Sequence, residues 1–380
     1  MSSTGSILLR KLLFNVANNT RRWMSVKLGA SSKLDKTVLQ KYLNLPVPEC
    51  TTLADYFWVD GTGTHFRSRT RTLDKQPKCV EDLPAWHVDG SKTNESDCDA
   101  EQQDVRLLPV AMYNDPMRRG GAKLVLCESY TMDYKPTKSN TRSKCCDMYT
   151  KTMNHQPLFG FCQQYMLMQI DGKPLGWPGG GAQLPSTGAY YCGVGARNSI
   201  GREIVEAHAR ACLYAGVGLS GFNSEQIASK WKFETKPTKG IKAPDDIIVG
   251  RYLLQRIAAE FGVDASFNPK GVKKGGSDLH VKFSTSFMAE QNGIEQILAA
   301  AEALAKKHKA HMSIYNSRKT KHRGKFKKFT WGMGDRGYSV RIPFDVQSAG
   351  CGYLEDRRPA ANSDPYAVCT AIMKTTLCSQ

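Results

Sequence analysis

The chain has 380 residues, room for about two domains and for a full hydrophobic core without covalent staples. Its 41% hydrophobic and 23% charged residues exclude collagen-like, disordered and multi-span membrane classes, and its apolar runs fall far short of the ~18 residues a membrane helix needs. Lys and Arg outnumber Asp and Glu by 53 to 35, so the net charge of +18 raises nucleic-acid binding as a class to be judged by where the charge sits.

The amino terminus comes first. Residues 1–34 hold Arg10, Lys11, Arg21, Arg22, Lys27 and Lys33 and no acid, so +12 of the charge remains on the rest of the chain. Ile7, Leu8, Leu12 and Phe14 form an apolar helical face beside Arg10 and Lys11. An acid-free, Ser-bearing, amphipathic start is the pattern of a mitochondrial transit peptide, with Arg21-Arg22-Trp23-Met24-Ser25 as the processing stretch, and it predicts a matrix location. A solvated basic tail is the alternative. From Leu34 to Cys50 the chain reads as a short helix or irregular approach closing on Leu45-Pro46-Val47-Pro48.

Tyr56 to Asp60 predicts a strand from its aromatic and β-branched residues. Gly61-Thr62-Gly63 then turns the chain into a second strand through Phe66, Ser68 and Thr70, and further strands fall at 105–110 and 124–127. This strand-rich part, 50–135, ends at Lys135-Pro136-Thr137. The part from 138 to 380 carries predicted helices at 201–217, 244–261 (opened by Pro244-Asp245-Asp246) and 294–312, the last with Lys306, Lys307 and Lys309 favourably near its C-terminal end. Strands are predicted between them at 165–169, 279–283 and 338–342, so the fold class is α+β.

Twelve cysteines, dispersed from Cys50 to Cys378 without a CxxC pair, read as free and mostly buried thiols in a chain of this size. A second block of charge is local: Arg318, Lys319, Lys321, Arg323, Lys325, Lys327 and Lys328 place seven basic residues in eleven positions, with Phe326 and Phe329 interleaved. Single-stranded nucleic acid or an anionic surface would suit it; a solvated basic loop is the plainer reading. No nucleic-acid module signature accompanies it, and nucleic acid is not the favoured partner.

Ordered motifs over nearly all of the chain after the leader resemble glutamine synthetase of the eukaryotic type. They include Trp58-Val59-Asp60-Gly61-Thr62-Gly63, Val88-Asp89-Gly90-Ser91, Gly176-Trp177-Pro178, Ile204-Val205-Glu206-Ala207-His208, Phe283-Ser284-Thr285 and Gly352-Tyr353-Leu354-Glu355-Asp356-Arg357-Arg358-Pro359. The resemblance implies an N-terminal β-grasp domain followed by the catalytic α+β domain. It also implies a ring of two stacked pentamers, with each active site between neighbouring subunits. It implies ATP and Mg²⁺ or Mn²⁺ as cofactors, because making glutamine through an acyl phosphate concentrates negative charge that hard cations and arginines must neutralise.

Laid on that pattern, the chain departs from it where the chemistry lies. Cys162 and Gln164 stand where the family has two metal-binding glutamates, on one face of a strand by alternation. Glu225 keeps its carboxylate, but Lys232 replaces another. Cys162, His280 and Glu355 mark a second metal position, able in principle to take a softer ion such as zinc; a residual cluster without tight metal is the alternative. The run Gly275-Gly276-Ser277-Asp278-Leu279-His280 keeps the histidine of the glutamate-gripping loop and loses its asparagine. Ser313 replaces a substrate arginine, and the flap that closes the glutamate entrance is missing, the basic run sitting in its place. Asp89 keeps the position of the acid that deprotonates ammonium. Arg336, Arg341, Arg357 and Arg358, with Ser284, match positions that hold ATP and the transferring phosphoryl group; structural pairing with Glu355 and Asp356 is the alternative for the arginines. The expected pocket attracts an anion or nucleotide and binds metal weakly or not at all, its arginines facing too little negative charge.

Two functional readings follow. One is a non-catalytic mitochondrial member, a structural or regulatory ring built of itself or mixed with an active paralogue. The other is an active glutamate–ammonia ligase with unusual metal ligands.

Overall fold

The computed structural model describes residues 35–96, 102–118, 120–178, 188–268, 277–316 and 326–378. The predicted leader, most of the basic run and Gly275-Gly276 lie outside the described residues.

A short helix, α1 (Lys36–Leu43), starts on Asp35, whose carboxylate accepts from the Thr37 N–H at 3.0 Å. Five strands follow: β1 (Thr52–Val59), β2 (Phe66–Leu73), β3 (Trp86–Asp89), β4 (Asp104–Asn114) and β5 (Lys123–Tyr130). They form one sheet in the order β2-β1-β5-β4-β3, with β1 and β5 parallel and the other pairs antiparallel. Alternation divides its side chains. Phe57, Leu124 and Leu126 face the main core, while Tyr56, Trp58, Val125 and Cys127 build a smaller core with Leu83 and Leu107 on the other side.

The remainder runs α2 (Thr141–Lys151), β6 (Leu158–Met168), α3 (Arg202–Ala215), β7 (Leu219–Ser224), β8 (Lys230–Thr235), β9 (Thr238–Lys239), α4 (Lys242–Glu260), β10 (Asp264–Ser266), β11 (Leu279–Ser284), α5 (Ser286–Ala289), α6 (Ile294–Lys306), α7 (His308–Tyr315), β12 (Trp331–Met333), β13 (Val340–Ile342), α8 (Phe344–Ala349), β14 (Leu354–Asp356) and α9 (Pro365–Leu377). Its nine strands form a second sheet, β12-β13-β14-β11-β6-β8-β7, with β9 and β10 also paired to β6. Mixed α+β architecture is therefore what the chain adopts. Among the described residues no helix is long and apolar enough to cross a membrane, and eleven cysteines are free thiols.

Two predicted elements differ. The helix expected over 294–312 is two, broken at Lys307 (φ −106°, ψ 14°) with no glycine or proline to announce it. After the break His311 bonds both Tyr315 and Thr375 at 2.8 Å, tying α7 to α9. The strand expected at 165–169 starts at Leu158, because polar Gln163 and Gln164 interrupt the apolar run without interrupting the ladder.

Helix α4 joins the two sheets. Tyr252 stacks on Phe57 with centroids 4.2 Å apart, and its hydroxyl donates to buried Asp55 at 2.6 Å. At the other end of the interface Arg142 of α2 grips both oxygens of Asp245 at 2.8 Å and Glu128 of β5 at 2.7 Å, while the Tyr366 hydroxyl donates to Asp245 at 2.7 Å. The cation thus joins α2 to α4 and β5, and Tyr366 ties α9 to the same Asp245 carboxylate. Replacing Arg142 by Leu leaves two buried carboxylates unanswered, and we expect a loss of about 3–5 kcal/mol in urea unfolding. Lys173→Met, which breaks an exposed pair with Asp171, should leave the urea midpoint unchanged.

Candidate functional site

Strands β8, β6, β11, β14 and β13 lie side by side, and period-2 alternation gives them one apolar and one polar face. Phe159, Phe161, Tyr165, Trp231, Phe233, Val281 and Phe283 enter the core. On the other face, Cys162 lies opposite Glu234 on one side and His280 on the other; Gln164 lies opposite Lys232, and Glu355 opposite Lys282 and Arg341. This face floors a cavity of about 1030 Å³, which Glu225, Asp278, Arg336, Asp345, Tyr353 and Arg357 also line.

Two carboxylates organise the floor. Glu234 receives Lys232 at 2.9 Å and Lys282 at 3.1 Å. Burial disfavours the Lys232 ammonium, but the carboxylates of Glu234 and Glu225 outweigh it and hold the amine above its ordinary value. Lys282 is likewise raised, burial being outweighed chiefly by Glu234. Glu355 receives His280 Nδ1 at 3.2 Å, Arg341 Nη1 at 3.2 Å and Arg357 Nη1 at 3.3 Å. Burial alone would raise its carboxyl; His280, Arg357 and Arg341 instead hold it well below the usual carboxylate range.

The donor set does not fit two or three hard cations, which call for several free carboxylate oxygens. Cys162 is 4% exposed, and burial pushes its thiol up, away from the thiolate a metal needs. Gln164 spends its side-chain oxygen on the Asp278 N–H at 3.1 Å. Lys232 brings a positive charge. For a softer ion, His280 is already tied through Nδ1 to Glu355, and among the described residues no three His, Cys, Asp or Glu side chains are disposed to hold a metal.

Other sequence candidates fall elsewhere. Asp89 is exposed at the end of β3, where Ser91 Oγ and N–H hold its carboxyl low, and it does not line this cavity. Ser284, expected to touch nucleotide, is buried and donates to the Gly352 carbonyl. Arg358 is buried against Asp356, with Nε 2.8 Å and Nη2 2.7 Å from its two oxygens. Arg341 and Arg357 line the cavity and share the single carboxylate of Glu355. Arg336, exposed between β12 and β13, is the cavity arginine without an ion pair among the described residues. Sequence reasoning missed Glu234 and Lys282. Both stand two positions beyond a residue it had singled out, Lys232 and His280, which is the same-face spacing of a strand.

The family described as "Glutamine synthetase, catalytic domain" matches residues 144–378. The chain is 43% identical to "Glutamine synthetase 1, mitochondrial" of Drosophila melanogaster over 375 residues, 95% of this chain and 93% of that protein. It is 44% identical to "Glutamine synthetase" of Mus musculus over 364 residues, covering 93% and 96% of the two chains. It is 43% identical to that of the lobster Panulirus argus over 357 residues, covering 90% and 97%.

Glu355 generates a pH prediction. A carboxyl whose folded value is depressed stabilises the fold fully above its unfolded value of ~4.3, and that contribution is lost as pH falls through the lower folded value. Glu355→Gln should cost about 3 kcal/mol in urea unfolding at pH 7, the cost of leaving buried Arg357 and Arg341 unanswered. The gap between the two proteins should stay level from pH 6 to 8 and shrink below pH ~4.

Proposed function

The chain belongs to the glutamine synthetase family, and from that premise we propose that it is a mitochondrial member which keeps the family scaffold without its metal-dependent ligase activity. One observation carries the reading: the Lys232 ammonium, fixed on Glu234 at 2.9 Å, stands where the family pattern has a metal-binding carboxylate. An ammonium repels a divalent ion, and within a few ångströms in a shielded cavity the repulsion amounts to several kcal/mol. The amide of Gln164 and the protonated thiol of Cys162 supply no compensating charge. Removing one electrostatic stabiliser from a transition state commonly costs ~10²–10³ in rate, and here three carboxylates, a substrate arginine (now Ser313) and the flap have changed together. The protein then serves as a structural or regulatory assembly. Asp89 supports a ring, because it lies on the N-terminal sheet away from its own chain's cavity and would have to face a neighbour's.

The test is glutamine formation and γ-glutamyl transfer by the purified protein with Mg²⁺ and with Mn²⁺, beside an active family member. We expect no product above background and no rescue by manganese; a rate comparable to the active enzyme overturns the reading in favour of a working ligase with unusual ligands. The triple substitution Cys162→Glu, Gln164→Glu, Lys232→Glu should restore measurable metal binding while leaving turnover low, because glutamate remains poorly held.

The mitochondrial part rests on the acid-free leader and on likeness to a relative so named. Residues 1–34 fused to a fluorescent reporter should send it to the matrix with cleavage near Trp23 to Ser25; a diffuse cytosolic signal defeats this.

A further inference from the structure

We propose that the cavity is a metal-free anion site, in which Lys232, Lys282 and Arg336 take a phosphate-bearing polyanion directly. The inference rests on the reading above that divalent metals no longer organise this site.

Charge is the first ground. Lys232 and Lys282 converge on the single carboxylate of Glu234, at 2.9 and 3.1 Å, so one carboxylate answers two ammonium groups. Glu355 stands against two guanidinium groups and the His280 ring. Across the whole lining, six lysines and arginines meet five carboxylates, and Arg336 has no ion pair among the described residues. A pocket so lined disfavours a dication and accepts an anion.

Unfilled hydrogen bonding is the second ground, and it is independent of the first. Arg357 is 8% exposed at its side chain, and its Nε–H, which can only donate, has no acceptor. His280 is 9% exposed, and its buried Nε2 has no hydrogen bond, the nearest ionic group being Asp278 at 3.9 Å. Buried polar groups in folded proteins are nearly all paired, so the unanswered Arg357 Nε–H calls for an oxygen acceptor.

The chemistry of the ligand follows from the donors. Ammonium groups act on phosphate as compact point charges, and the Arg336 fork can bond two of its oxygens at once. The cavity volume is that of an ordinary small-ligand site. Lys232 and Lys282 contribute from the protein itself the positive charge that a metal ion would otherwise supply.

The experiment is calorimetric titration of the full-length protein with inorganic pyrophosphate, once in EDTA and once in excess Mg²⁺. We expect binding in EDTA that Mg²⁺ does not tighten and that an equal concentration of glutamate does not displace. Lys232→Met and Lys282→Met should each weaken it about ten-fold, the value of one charge-assisted hydrogen bond. Lys282→Arg should keep it, and Glu234→Gln, which releases both lysines, should tighten it. Thermal melts of each variant separate lost binding from lost folding. Binding that requires Mg²⁺, binding indifferent to both methionine substitutions in folded protein, displacement by glutamate, or no binding at all overturns the proposal. Its failure is distinct from that of the ligase reading: glutamine formation alongside chelator-insensitive pyrophosphate binding defeats the first reading only, and a silent protein that binds pyrophosphate only with Mg²⁺ defeats the second only.

Discussion

A charge taken out of water must be answered where it sits, and that constraint organises this molecule from the domain interface to the cavity floor. Arg142 is shielded from solvent and so must be met by Asp245 and Glu128, which fixes α2 against α4 and β5. Arg358 and Asp356, both fully buried at their side chains, hold the strand β14 to the helix α7 through the Tyr315 hydroxyl at 2.9 Å. Glu355 and Glu234 do the same for the polar face of the large sheet. Each hub leaves its members little freedom, since moving one strands another.

The same sheet explains how a scaffold can persist while its chemistry changes. Side chains of β6 alternate strictly: Phe159, Phe161, Gln163 and Tyr165 go to one side, Cys162 and Gln164 to the other. The first set meets the core, where Gln163 accepts from Arg251 Nε at 2.7 Å and donates to the Ala361 carbonyl at 3.0 Å. The second set lies on the cavity floor, Cys162 buried there and Gln164 bonded to the Asp278 N–H. A substitution at position 162, 164 or 232 is therefore felt first by ligands and by floor neighbours, and not by the aromatic core on the opposite face. Lys232 could enter such a face because Glu234 lies on the same strand face to receive it.

Much of the architecture was legible because it rests on local pattern. Helices α3 and α4 declare themselves through apolar periodicity and, for α4, a Pro-Asp-Asp start. Strands β1, β2, β5 and β11 declare themselves through aromatic and β-branched runs. The break at Lys307 was not legible, since nothing local requires it; the partners that reward it, Tyr315 and Thr375, are a turn and a domain's width of sequence away. At the site, motif position located Cys162, Gln164, Lys232, His280 and Glu355 on one surface. It did not say what each would bond. Arg358 and Ser284 carry matching positions in sequence yet turn away from the cavity, and the Glu234 bridge emerges only when β8 and β11 are seen to flank β6.

The central place of β6 also sets an order of events during synthesis. All five strands of the N-terminal sheet are made between Thr52 and Tyr130, so that sheet can close early. Strand β6 emerges by Met168, but its partners run from β8 to β11, and the pairing of Gln163 with Leu279 waits until Ser284 is near. At ~5–20 residues per second the intervening stretch takes roughly 6 to 25 s. β8 can close one edge once Thr235 is made, but through the whole interval the edge that awaits β11 stands open on an eleven-residue strand, a template for pairing with any other extended chain. Gln163 and Gln164 in its middle interrupt what would otherwise be a continuous apolar ribbon, so one polar residue of the core and one of the cavity floor together temper the adhesiveness of the nascent strand.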